Sequence, residues 1–292
     1  MRDVKNPALW LLSPFLAVMG VFFAAPLLLV VGYSFMTQHY PGGVEFPLTL
    51  DAYIKIFYDT DFDGNRVFDA SFLMICWKSL QLAGICTILC LLAGFPMAYF
   101  MATRPAHQRN LWMMLVTIPF WTNLLIRTYS WMLILRTDGL VNNALIDAGL
   151  IKEPLELLYN DFAVGVGLLY SYLPFMVLPI YANLERMDWR LIEAASDLYA
   201  TRWQTLRKVT LPLTMPGIIA GCILVFIPSI GSFLAPQLLG GGQQMMIGNK
   251  IENLFGQAGD WPFGSAASVA LMAIVMIGLM IMSRRGGLKE LV

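Results

Sequence analysis

Apolar and polar positions separate in this chain by whole segments rather than by single residues. Apolar runs occupy 9–36, 72–102, 111–135, 162–184, 212–236 and 264–283, and a helix needs about 20 such residues to cross roughly 30 Å of hydrocarbon. The pattern predicts an all-α membrane protein of six transmembrane helices, with both chain ends on one side. Arg2 and Lys5 precede the first run, as basic residues precede a secretory signal. The run is too long for the roughly 7–15-residue apolar core of a cleaved signal, and it reads as a retained span.

Between the fourth and fifth runs lies the longest polar passage, MDWRLIEAASDLYATRWQTLRKVTLPLTMPG, from Met187 to Gly217. Asp188 is a natural N-cap, and Leu191, Ala195 and Leu198 recur at i, i+4 and i+7, which predicts a short helix with one apolar face. Thr201 and Gln204 form a T-x-x-Q capping box for a second short helix, with Trp203 and Leu206 behind it. Pro212 then stands where the next span begins, at a first-turn position that needs no N–H donor.

The segment from Gln38 to Ala70 carries PGG and DTDFDGN. Asp59, Asp61, Asp63 and Gly64 have the spacing that opens a calcium loop, but Ala70 stands where its twelfth position needs a bidentate Glu, so a solvated acidic turn is expected. Proline is dense in the runs, at Pro26, Pro96, Pro119, Pro174, Pro179, Pro228 and Pro236. Each frees a carbonyl that a neighbouring helix or a wet cavity must satisfy, and two readings stand: helices broken around a pathway, or kinks that serve packing. Gly217 and Gly221 make a G-x-x-x-G face on which another helix, of this chain or a partner, packs closely.

Composition agrees: 58% of residues are hydrophobic and 13% charged, about half the charge of an average soluble domain. The formal net charge is zero, so no basic field for a nucleic-acid partner is present. Position matters more than sum. With the N-terminus cytoplasmic, Arg2, Lys5, Arg104, Arg109, Arg186, Arg190, Arg202, Arg207, Lys208, Arg284, Arg285 and Lys289 face inward, and only Lys55, Arg66, Arg136, Lys152 and Lys250 face outward. The positive-inside rule therefore puts both termini and the Met187–Gly217 passage in the cytoplasm and leaves the outer segments acidic.

Catalytic and nucleotide motifs are missing. No G-x-x-x-x-G-K-[ST] occurs, Gly240 to Gly242 reads as a flexible outer turn, and the G-x-G of Gly165 and Gly167 has Tyr170 in its third glycine position. His39 and His107 have no Ser or Cys nucleophile nearby in sequence, and Cys76, Cys86, Cys90 and Cys222 sit in apolar surroundings as inert thiols. No metal site is expected. Two cations lie inside spans. Lys78 is close enough to an outer end to snorkel; Arg127 serves either a pathway or interface, or snorkels likewise. Trp121, Tyr129, Trp131, Tyr170, Tyr172, Phe175, Phe233 and Trp261 form either an interfacial belt or a cation-π lining.

The polar passage now has specific neighbours. Glu193, Ala194, Ala195, Asp197, Leu198, Ala200, Val209, Leu211 and Pro212 resemble the EAA loop of the inner-membrane permease subunits of bacterial ABC importers. The likeness covers most of the chain and is good to the spermidine/putrescine permeases, through FPMAYFMA (95–102), IPFWTNLLIRTYSWMLIL (118–135), GLVNNAL (139–145), YSYLPFMVLPIYANLERMDWRLIEAASDL (170–198) and LVFIPSIGSFLAPQLLGG (224–241). It implies a type I ABC importer permease fold in the bacterial inner membrane, with a first span and acidic periplasmic loop over 1–70, a five-helix core over 71–283 holding the EAA loop at 187–212, and a cytoplasmic tail over 284–292.

The resemblance implies that Glu193, Ala194, Ala195, Asp197, Leu198, Tyr199 and Ala200 couple to an ATPase subunit. It also implies a second permease subunit, two ATPase subunits, a periplasmic substrate-binding protein and membrane lipid as partners. No cofactor is expected on this chain, ATP and magnesium belonging to the partner ATPase, and the chain itself is a non-catalytic translocation subunit. Candidate pathway residues are Trp121, Asn123, Arg127, Tyr129, Asp138, Tyr172, Ser232, Phe233 and Gln237.

Two departures stand out. Tyr199 replaces the glycine usual before the position of Ala200, where a left-handed turn would strain it by about 1–2 kcal/mol. Ser232 and Gln237 stand where polyamine members often place acids, which leaves Asp138, Glu252 and Asp260 at the mouth, and any acids of a sister subunit, to meet a polycation. Arg127 and the missing acids favour an alternative importer for an amino-acid-like or anionic ligand. A self-contained secondary transporter would need titratable groups at the midplane, and these are scarce.

Overall fold

The computed structural model describes residues 7–60, 65–242 and 244–282. Helices dominate, because a segment without water must satisfy its backbone groups within itself. In chain order they are α1 (Pro7–Met19), α2 (Ala25–Tyr33), α3 (Asp51–Ile54), α4 (Ser71–Ala102), α5 (Ala106–Trp121), α6 (Leu124–Leu135), α7 (Leu140–Asp147), α8 (Asp161–Glu185), α9 (Arg190–Asp197), α10 (Arg202–Thr205), α11 (Leu211–Ile230), α12 (Leu234–Leu239), α13 (Ile247–Phe255) and α14 (Trp261–Met282). The strictly all-α expectation is corrected by two antiparallel hairpins in the acidic segment, β1 (Met36–Gln38) with β2 (Val44–Leu48) and β3 (Tyr58–Thr60) with β4 (Arg66–Phe68). Asp59 lies in β3; Asp61, Asp63 and Gly64 of the acidic turn, and the tail 284–292, lie outside the described residues.

Among the described residues, five stretches are long and apolar enough to cross a membrane: Leu12–Tyr33, Ser71–Ala102, Asp161–Glu185, Arg202–Ile230 and Trp261–Met280. The run at 111–135 differs, because it divides into α5 and α6. Pro119 lies in the last turn of α5; Thr122 and Asn123 then turn extended, and the Asn123 side chain accepts from Leu125 N at 2.8 Å to start α6 afresh. A second break follows Pro228, where α11 stops and Gly231 to Phe233 lead into α12.

Two long helices run through a π-turn, and one of them continues where Pro212 was expected to begin a span. A five-residue π-turn, Leu206–Thr210, joins α10 to α11 without interruption, and Gly20–Ala24 joins α1 to α2 likewise. Pro212 therefore stands inside a continuous Arg202–Ile230 helix rather than at its start. Both π-turns end just before a proline, Pro212 or Pro26, whose missing N–H would break an α-helical ladder there anyway.

The chain groups into two compact units. One runs through Leu73 and takes in Ile251–Ile277. In it Lys55 Nζ meets Asp260 Oδ2 at 2.7 Å, so Asp260, counted among the acids of the mouth, is neutralised. The other covers Met74–Lys250 and the end of α14. Its core is built on α8 and α11 with α4 beside them, from residues such as Cys90, Met101, Leu168, Met176, Ile180, Leu184 and Val225. The G-x-x-x-G face is explained here. A side chain at Gly217 would meet Pro179 O and Asn183 Cβ at 2.8 Å, and one at Gly221 would meet Met176 Sδ at 2.8 Å, so the close partner is this chain's own α8.

Lys78, expected to snorkel, has partners within the chain. Its ammonium pairs with Asp161 at 3.1 Å, in the first turn of α8, and donates to Gln244 in the segment after α12. Next to it, Ser79 Oγ accepts from Ile247 N at 2.7 Å. Gly241 and Gly242, both at positive φ, turn the chain within this tied segment.

Candidate functional site

The polar passage forms a helical elbow. Asp188 Oδ1 accepts from Arg190 N at 3.0 Å, capping the turn that opens α9. At its other end Tyr199 N bonds Ser196 O and Ala200 N bonds Ala195 O, both at 3.0 Å, which together are a Schellman closure. That closure needs a left-handed residue after the cap, and Tyr199 adopts it, with φ 57°. The turn is thus the one glycine would make, built with a tyrosine. Thr201 then forms the expected reciprocal capping box, its Oγ1 accepting from Gln204 N at 3.3 Å and its own N–H donating to Gln204 Oε1 at 2.9 Å.

The apolar stripe expected on α9 faces away from the rest of the chain. Leu191 is exposed, Leu198 is 81% exposed and Tyr199 95%, with Glu193, Ala194 and Asp197 also exposed. Ala195 and Ala200 are half-buried. Ile192, Ser196 and Ala200 instead line a cavity of about 640 Å³ with Phe95, Pro96 and Tyr99 of α4. Trp189 packs its ring against Tyr99.

The helix breaks make the second site. Phe120 before the first break, Leu124, Arg127 and Thr128 after it, Ser171, Tyr172 and Phe175 of α8, and Ser232, Leu234 and Ala235 at the second break surround a pocket of about 220 Å³. Tyr172 donates to Pro228 O at 3.1 Å, a carbonyl near the broken end of α11. Phe120 and Phe175 meet edge to face at 4.9 Å, and Thr128 returns its hydroxyl to Leu124 O. Among the described residues, no carboxylate lines the pocket.

Of the candidate pathway residues, the structure brings together Arg127, Tyr172 and Ser232. Asn123 serves as the α6 cap; Trp121, 90% exposed, and Tyr129 and Phe233, also exposed, lie outside the lining, as do Asp138 in the turn after α6 and Gln237 on α12. Phe120, Thr128 and Ser171 were missed, and the proline-marked breaks were the signal that could have found the first two. Arg127 lines the pocket, and among the described residues its buried Nε and Nη1 have no hydrogen-bond partner.

The architecture has a counterpart among solved structures. A bacterial ABC transporter that imports the acidic polysaccharide alginate matches it with a TM-score of 0.69 over 96% of this chain and 97% of that one, at 21% identity, a likeness of fold alone. Residues 7–286 match the family described as "Binding-protein-dependent transport system inner membrane component", and the chain belongs to that family. It is 41% identical to the spermidine/putrescine transport system permease protein PotB of Haemophilus influenzae, over 88% of this chain and 86% of that protein. The PotB of Escherichia coli K12 is 40% identical over 90% of each chain. An inner-membrane ABC transporter permease of the same organism, YdcU, is 31% identical over 97% of this chain and 90% of that protein.

Proposed function

We propose that this chain is one of two permease subunits of an ATP-driven importer that carries spermidine or putrescine across the bacterial inner membrane. The similarity to two spermidine/putrescine permeases along nearly the whole chain is the observation that supports it. A periplasmic binding protein delivers the polyamine, and two partner ATPases supply the ATP and magnesium chemistry. The chain crosses the bilayer six times, α5 and α6 together making the third crossing, with both termini and the elbow cytoplasmic. The 71–283 segment is the permease core, preceded by a span and an acidic periplasmic segment over 1–70 and followed by a cytoplasmic tail. Glu193, Ala194, Ala195, Asp197, Leu198, Tyr199 and Ala200 form the coupling surface, pulled when the ATPases close. Arg127, Tyr172 and Ser232 line the pathway, with Trp121, Asn123, Tyr129, Asp138, Phe233 and Gln237 near it.

One observation favours a second reading. A pocket with an unpaired guanidinium and no carboxylate suits an anionic or amino-acid-like cargo better than a polycation. Ligand-stimulated ATP hydrolysis by the assembled complex, across a panel of polyamines and small anions, separates the two. Stimulation by spermidine or putrescine is expected, and indifference to every polyamine would overturn the cargo. In the same preparation Glu193→Lys is expected to insert normally yet lose the ATPase subunit; a full complex yield with normal uptake would remove the elbow from the coupling.

A further inference from the structure

We infer that Arg127 is the fixed half of an ion-pair site in the pocket between the helix breaks, and that the other half is a carboxylate brought by another molecule. Two of the three guanidinium nitrogens, Nε and Nη1, have no acceptor among the described residues and no access to solvent. A guanidinium stays charged at any physiological pH, so it cannot escape this by losing a proton. The residue is half-buried overall, and the two shielded nitrogens forfeit hydrogen bonds that an acceptor would restore.

Nothing in the pocket can answer that charge. Thr128 spends its hydroxyl proton on Leu124 O and Tyr172 donates to Pro228 O. Ser171 and Ser232 are neutral, and Phe120, Leu124, Phe175, Leu234 and Ala235 are apolar. The first residue of α6, Leu124, also lines the pocket, so the positive end of that helix adds to the field. Beside the guanidinium lie about 220 Å³ of space, enough for a carboxylate with several waters at roughly 30 Å³ each. A carboxylate fits best, since two coplanar oxygens reach more than one guanidinium nitrogen at once.

The carboxylate has two possible sources, an acidic side chain of the sister permease or a free small anion, and the inference holds whichever cargo the importer carries. The assembled complex in lipid nanodiscs tests it. If the source is free, acetate at constant ionic strength raises the unfolding temperature of the unmodified complex and of Arg127→Lys, but not of Arg127→Met. If it is the sister subunit, Arg127→Glu lowers coupled transport by roughly tenfold or more, and one Asp→Lys or Glu→Lys change in the sister's spans restores it. Two results would overturn the site: Arg127→Met matching the unmodified complex in stability and coupled transport, or silence in both the acetate and the charge-swap arms. Because acetate is titrated on the unmodified complex, a variant that fails to assemble leaves the test intact, and the cargo panel fails or succeeds separately.

Discussion

Tyr199 holds a left-handed backbone at φ 57° while its ring stands almost wholly in the open. The conformation costs about 1–2 kcal/mol in an L-residue, which the two closing hydrogen bonds would offset equally well with glycine, and the exposed ring adds nothing within the chain, so an advantage outside the chain is the natural reason for an aromatic residue there. Two substitutions separate backbone from ring. Tyr199→Gly is expected to stabilise the isolated permease by about 0.5–1 kcal/mol, part of the relief being offset by glycine's greater freedom when unfolded, whereas Tyr199→Ala keeps the strain. Both should lower the yield of complex with the ATPase, read by co-purification. Equal stability of the two variants in thermal melts would show that the turn is unstrained. The capping box of Thr201 and Gln204 was legible because both partners lie within one turn. The partner of Lys78 was not, since Asp161 reaches it only through tertiary folding.

Among the elements, α8 and α11 are the pair whose contact the rest of the second unit depends on, and small residues set their separation. Gly217→Val is expected to destabilise the permease by about 1–3 kcal/mol through overpacking against Pro179 and Asn183. Gly165→Ala, on α8 where nothing lies within 4 Å, is expected to be tolerated. Comparable losses in the two melts would deny that close approach is what Gly217 provides. The G-x-x-x-G pattern announced a close contact but could not name the partner, because four-residue spacing describes one face only. The proline runs likewise announced disturbance without its form. Pro119 and Pro228 precede breaks, while Pro174 and Pro179 sit inside an unbroken α8. Hydropathy does not register that difference, which is decided by whether a cap such as Asn123 restarts the helix.

At the scale of the whole molecule, length and apolarity made the spans legible, and among the described residues five of the six expected runs hold a helical stretch long and apolar enough to cross a membrane. The hairpins of the acidic segment were not legible, since strands this short leave little periodicity to read. Charge asymmetry predicts sidedness, and impermeant maleimide checks it: in a background without native cysteines, Tyr40→Cys should label from the periplasm of intact cells and Tyr199→Cys only after permeabilisation. The reverse pattern would invert the chain. The π-turn at Leu206–Thr210 bears on sidedness of another kind. One residue inserted into a helix advances everything beyond it by about 100° around the axis, so the elbow is clocked relative to the span in a way no straight helix from Leu211 would give. The elbow's exposed stripe owes its compass bearing to that single extra residue, and any movement that tightened the π-turn to an ordinary one would swing the stripe around the axis instead of lifting it along.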